Sequence, residues 1–144
     1  MKFTYDDGGR SAAGFKGRAS DCVVRAIAIA TQSPYASIYN AINDAAETEH
    51  YDRWKHAGGR SSARTGVHKH TTRSFMASLG WQWTPTMGFG TGCRVHLRDG
   101  ELPPGRLVVS VSRHLVAVID GVIHDTHDPS RDGTRCVYGY WRKS

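Results

Sequence analysis

The spacing of apolar residues changes once along this chain, near Gly80, and the change separates predicted helices from predicted strands. Residues 22–31 (CVVRAIAIAT) are almost wholly apolar. Val and Ile leave helix and strand open by propensity. The interspersed alanines, a length of about ten residues and the side-chain acceptors of Ser20 and Asp21 just ahead predict a buried helix with Cys22 in its first turn. Ser33-Pro34 repeats the start signal, an N-cap before a proline at the first helical position. Tyr35, Ile38, Tyr39, Ile42 and Ala46 then recur at three- and four-residue spacing, which predicts an amphipathic helix over 34–47. A third helix is predicted over 71–79, with Phe75, Met76 and Leu79 inward and Gly80 as its C-terminal cap. Residues 49–69 between them are polar, with Gly58-Gly59 and Gly66. A loop of that length is expected to serve function, walling a cleft together with the glycine-rich turn at 87–92.

Beyond Gly80 the pattern becomes that of strands. Trp81 to Thr84 alternates, 94–97 reads as a strand or a single helical turn, and 106–112 reads as a strand buried on both faces. Asp120-Gly121 between β-branched runs is the strongest short-range hairpin signal in the chain. A two-residue loop there pairs Ile119 with Val122, Val118 with Ile123 and Ala117 with His124. His114, Val116, Val118, Ile123, Asp125 and His127 then share one face. A turn at 129–133 and a last strand over 136–141 complete the pattern, and residues 1–19 read as a loop or short edge strand leading in. Helices first and strands second predict an α+β fold in one domain over 1–144, N-terminal helices packed on a C-terminal antiparallel sheet.

Composition narrows the class. A chain of 144 residues can bury a core without covalent staples. The three cysteines are too few for a secreted disulfide framework, which points to free thiols in a reducing cytoplasm. The first residues lack the apolar core of a signal peptide, and no apolar run approaches the roughly 20 residues of a membrane helix, so no membrane is expected. Nineteen Lys and Arg against 13 Asp and Glu give a net charge of +6, which attracts nucleic acid or acidic partners. The densest basic stretch, residues 53–73, includes Trp54 but fits no nucleic-acid recognition motif, and a solvated basic surface explains it more simply.

Chemistry concentrates in two places. A cysteine in the first turn of a helix has its thiolate favoured by unpaired amides and the helix dipole, and those amides can also hold an oxyanion. On the hairpin, His114 lies diagonally across from Asp125, roughly 5 to 8 Å apart at the Cβ atoms. That suits a carboxylate orienting a catalytic imidazole. The order of Asp21-Cys22-Val-Val-Arg-Ala26, then Ser112-Arg-His114-Leu-Val-Ala-Val-Ile119, then Val122-Ile-His-Asp125 resembles the papain-like cysteine peptidase superfamily, in its compact bacterial or phage-encoded form. The resemblance is topological and spans about residues 15–141. It implies the minimal core of that fold and a cysteine hydrolase acting on a peptide or isopeptide amide through a thioester. Cys22 would be the nucleophile, His114 the acid and base, and Asp125 the orienting group, with no metal or other cofactor. The family's namesake carries a glutamine six residues before its cysteine, where Lys16 stands here. Lys16, Ser20 and the Cys22 amide are therefore alternative oxyanion donors. His127, on the face of His114, is a candidate substrate contact.

Other groupings compete. Asp120 and Asp128 belong to turns, and His124 points to the opposite face. Cys93-x-x-His96 and His68-x-His70 together offer four zinc ligands, but there is no second cysteine pair. Two alternatives remain for the whole chain. One is a non-catalytic basic binding module, such as a protein inhibitor or a nucleic-acid-associated factor. The other is an acyltransferase or deamidase using the same residues.

Overall fold

The computed structural model describes residues 1–49 and 59–143. Trp54 and the loop section 50–58 lie outside the described residues. In chain order the elements are β1 (Lys2–Tyr5), α1 (Cys22–Thr31), α2 (Tyr35–Glu47), α3 (Lys69–Ser78), β2 (Trp81–Pro85), β3 (Arg106–Val111), β4 (His114–Ile119), β5 (Val122–Asp125) and β6 (Gly139–Lys143). The fold is α+β, with helices mostly N-terminal and strands mostly C-terminal. Its six-stranded sheet runs β1-β5-β4-β3-β6-β2.

The sheet is mixed rather than wholly antiparallel. β1 runs parallel to β5 in the register Lys2 with Val122 through Tyr5 with Asp125. All four β1 residues are exposed, so no apolar alternation marks this strand, and backbone pairing alone places it. The β4–β5 hairpin has the expected register, Ala117 with His124, Val118 with Ile123 and Ile119 with Val122. Asp120 and Gly121 both have positive φ, 47° and 79°, as a twist-matched two-residue loop requires.

α1 occupies the predicted residues and packs mainly on β4. Val24, Ile27 and Ala28 meet Val108 and Ala117 in one apolar cluster on the helix side of the sheet. Leu107, Val109, Val111, Val116, Val118 and Ile123 point the other way, into a second cluster with Leu97 and Val137. β3 is thus buried on both faces, as its unbroken apolar run predicts.

Several local expectations are corrected. Asp21 precedes α1 but makes no side-chain cap, because its buried carboxylate is drawn instead to Arg25, Tyr35 and Arg10. Pro34 is itself extended, with ψ 139°, so α2 begins one residue later than expected and Ser33 does not cap it. α3 begins at Lys69, two residues early, and Gly80 follows its end at φ 81°. The last strand begins only at Gly139; Cys136 instead forms an isolated bridge with His96. Cys93 and Cys136 are joined in a disulfide with Cα atoms 5.8 Å apart, which leaves Cys22 as the free cysteine. With two of three cysteines joined, their number no longer argues for a reducing compartment. No helix among the described residues is long and apolar enough to cross a membrane.

Gly139 shows how β6 and β2 fit. A Cβ atom there would fall 2.4 Å from the Trp83 ring and 2.8 Å from the Thr84 carbonyl, so only glycine lets the indole lie against β6. Trp83 and Trp141 accordingly pack with ring centroids 4.4 Å apart.

Candidate active site

Three element ends converge beside α1. Cys22 is the first residue of α1, His114 the first of β4 and Asp125 the last of β5. His114 Nε2 lies 2.6 Å from Asp125 Oδ2. The Cys22 and His114 side chains stand together on one cleft wall and influence each other's ionisation by hydrogen bonding and charge. With Nε2 held by Asp125, Nδ1 is the ring nitrogen left for the sulfur.

Strict strand alternation does not explain this meeting. Val116, Val118 and Ile123 turn away from α1, and by parity His114 and Asp125 would follow them. The two residues lie beyond the last β4–β5 pair, Ala117 with His124, at strand ends held only by their other neighbours, His114 by Val111 of β3 and Asp125 by Tyr5 of β1. There Arg25, one turn along α1, reaches Asp125 Oδ1 at 3.4 Å and draws the carboxylate to the helix side.

Arg25 is the hinge of a buried charge network that the sequence reading missed. It also pairs with Asp21, whose other oxygen accepts a 2.6 Å hydrogen bond from the Tyr35 hydroxyl. Asp21 and Asp125 are 2% and 3% exposed, and Arg25 links the two buried carboxylates, with Arg10 and His114 as their further cationic neighbours. The four-residue spacing of Asp21 and Arg25 was a readable helical pair signal. Nothing local to it pointed to Asp125, 100 residues further on. The Thr126 amide donates to Asp125 Oδ1 at 2.7 Å and completes its shell.

Electrostatics follow from this geometry. Burial pushes the Cys22 thiol up, but the His114 hydrogen bond, the Leu115 amide and the charges of His114 and Arg25 outweigh it and hold the thiol below its ordinary value. Burial pushes His114 down, while its bonds to Asp125 and Cys22 raise it further, to about 9. Burial also opposes ionisation of Asp125, yet the His114 bond and charge, the Thr126 amide and Arg25 keep it below the usual carboxylate range. Each shift favours a thiolate beside an imidazolium.

The sulfur and ring open onto a cleft of about 350 Å³, with Val67, Leu115, Trp83 and Trp141 among its apolar walls. Thr65 to Val67 and Lys69, from the end of the long loop and the start of α3, form one side. Glu49 holds that segment in place by accepting from the Ser61 amide at 2.8 Å and from the Ser61 and Thr71 hydroxyls. Residues 87–92 do not line the cleft.

Among the oxyanion candidates, Ser20 lines the cleft and Lys16 does not. Lys16 is exposed, and its carbonyl accepts from Arg64 at 2.9 Å. Because α1 has no side-chain cap, the Cys22 amide sits at a helix start with no side-chain acceptor. His127 is exposed, with its ring centroid 5.2 Å from that of His114. His124 faces Asp6 at 3.5 Å, away from this group, and Asp128 accepts from the Ser130 amide inside its turn. His114, Asp125 and His127 could present ligand atoms to a cation, all within 4.8 Å of one another, but two of the three already bond each other. The four-ligand zinc grouping has lost the Cys93 sulfur to the disulfide, and His96 bonds Glu101 at 3.2 Å.

Comparison of the chain with protein-family models, with curated proteins and with solved structures finds no match.

Proposed function

We propose that this protein is a cysteine-dependent hydrolase acting on a peptide or isopeptide amide, with the papain-like arrangement of nucleophile helix and histidine strand. The observation that carries the reading is the succession from Cys22 to His114 to Asp125, with the sulfur and the ring at the wall of one cleft and the carboxylate buried behind the ring. A thiol, an imidazole and a carboxylate in that order form an activated nucleophile with its base and orienting group.

The Cys22 thiolate attacks the acyl carbon, and the carbonyl electrons move onto oxygen, beside the Cys22 amide and Ser20. As the tetrahedral intermediate collapses, the C–N bond breaks and the His114 imidazolium protonates the leaving amine, leaving a thioester and a neutral imidazole. His114 then takes a proton from water, whose oxygen attacks the thioester. The C–S bond breaks, the acid departs, and thiolate and imidazolium are restored. Asp125 stays ionised throughout and fixes the ring. Water as the acceptor makes the protein a hydrolase; an amine or alcohol in its place would make it an acyltransferase.

The test is alkylation of Cys22 by iodoacetamide as a function of pH, read by intact mass. Because Cys93 and Cys136 are joined, the reagent reports one thiol. Its rate should rise through a midpoint well below the ~8.5 of a free thiol. A slow reaction with an ordinary midpoint would instead favour a non-catalytic basic binding module.

A further inference from the structure

The cleft has a charge asymmetry that the triad chemistry does not require. Lys69, Arg73 and Arg113 line it, and no Asp or Glu does among the described residues. None of the three cations takes part in an ion pair among the described residues. Arg73 stands with its guanidinium carbon 5.9 Å from the centroid of the Trp83 ring, a cation held against an apolar wall. Arg113 immediately precedes His114 in the β3–β4 turn, in a left-handed conformation (φ 56°) that L side chains rarely adopt. A shallower pocket shares Ser20 and Thr65 with the cleft and adds Arg18 and Arg64, again with no acid among its lining residues. Five cations thus line the cleft and the pocket beside it, and the cleft also presents aromatic and aliphatic side chains.

We infer that the substrate is an acidic peptide, with an apolar side chain seated against Trp83 and Trp141 and flanking carboxylates met by Lys69, Arg73 and Arg113. This rests on the cysteine-hydrolase reading and adds the substrate class to it. A chain bearing carboxylates on both sides of one apolar residue complements the site in sign and in shape, while a basic segment would meet like charge on every side. The cleft volume of 350 Å³ suits one large side chain rather than a folded domain. A nucleic acid complements the charge equally well but offers no acyl carbon to the thiolate.

The experiment uses the whole protein and three peptidyl chloromethyl ketones, identical except that a central Leu is flanked by Glu, by Gln or by Lys. Cys22 labelling rates are read by intact mass. The Glu probe should label about tenfold faster than the Gln probe, and the Lys probe should be the slowest. The spread should shrink at about 0.5 M salt, where screening is strong. Arg73→Glu and Lys69→Glu should each narrow or invert the Glu-to-Lys ratio. Arg142→Glu, which alters net charge equally on β6 away from this cleft, should leave the ratio unchanged. Equal rates for the three probes, no probe outrunning iodoacetamide, or an Arg142→Glu effect as large as that of Arg73→Glu would each overturn the inference. Failure of the hydrolase reading is separate, since it appears as an ordinary midpoint for iodoacetamide, a reagent with no side chain to recognise.

Discussion

Two cysteine environments in this molecule teach opposite lessons about the same atom. Cys22 begins a helix, touches an imidazole and faces a cleft. Cys93 and Cys136 lie in loop segments beside the second apolar cluster and are joined to each other. Burial acts against the thiolate at Cys22, and the His114 hydrogen bond and charge reverse it. The paired sulfurs have no thiol to ionise and act only as a link across 43 residues. Reactivity therefore belongs to the surroundings, and perturbing either pair of surroundings should give different kinds of loss.

The largest expected effect is removal of the sulfur itself. Cys22→Ala should lower amide hydrolysis by about 10⁴-fold or more while thermal unfolding changes little, because the side chain shrinks by one atom at a cleft wall. Comparable turnover by the variant would dissolve the contrast between the cysteines. Next is Arg25→Ala, which removes the cation shared by the buried Asp21 and Asp125 and leaves each with one cationic neighbour, Arg10 and His114. It should destabilise the fold by about 3–5 kcal/mol in urea unfolding. A loss under about 1 kcal/mol would mean that the network is solvated. Smaller again is Cys93→Ser with Cys136→Ser. Opening a loop of this length should cost roughly 2–4 kcal/mol by the same measurement. Hydrolysis at low temperature should persist, and its loss would show that the link shapes the cleft.

The subtlest probe concerns protonation. His114 is raised to about 9, so the stability that its charge adds is fully present below the ordinary histidine value near 6.5 and falls away as pH rises through about 9. Hydrolysis should decline over the same upper range as the imidazolium is lost. Asp125→Asn keeps a hydrogen-bond acceptor but removes the charge, so the upper limb should move to lower pH in kcat/KM profiles. An unmoved limb would assign it to another group.

The sequence carried the frame of this site further than its wiring. α1, with a cysteine at its head, and the hairpin register through Asp120-Gly121 were legible because local periodicity and turn chemistry determine both. β1 was not legible as a parallel strand, since its exposed residues carry no alternation. The reach of Arg25 to Asp125 and the joining of Cys93 to Cys136 escaped for a different reason: each spans a long stretch of chain and depends on how elements dock. Shared strand parity correctly grouped His114 with Asp125. It could not reveal that both, past the last β4–β5 pair, would reach residues of α1 while Val116 and Ile123 turned away.

The bare position at Gly139 has a consequence for the ligand rather than for the fold. Any side chain there would press on the Trp83 indole and the Thr84 carbonyl, and a displaced indole would shift against Trp141 and the space they border. The aperture through which a molecule approaches the sulfur is therefore gauged by a missing methyl group on the adjacent strand, and bulk added at that point would alter which guests fit without touching any reacting atom.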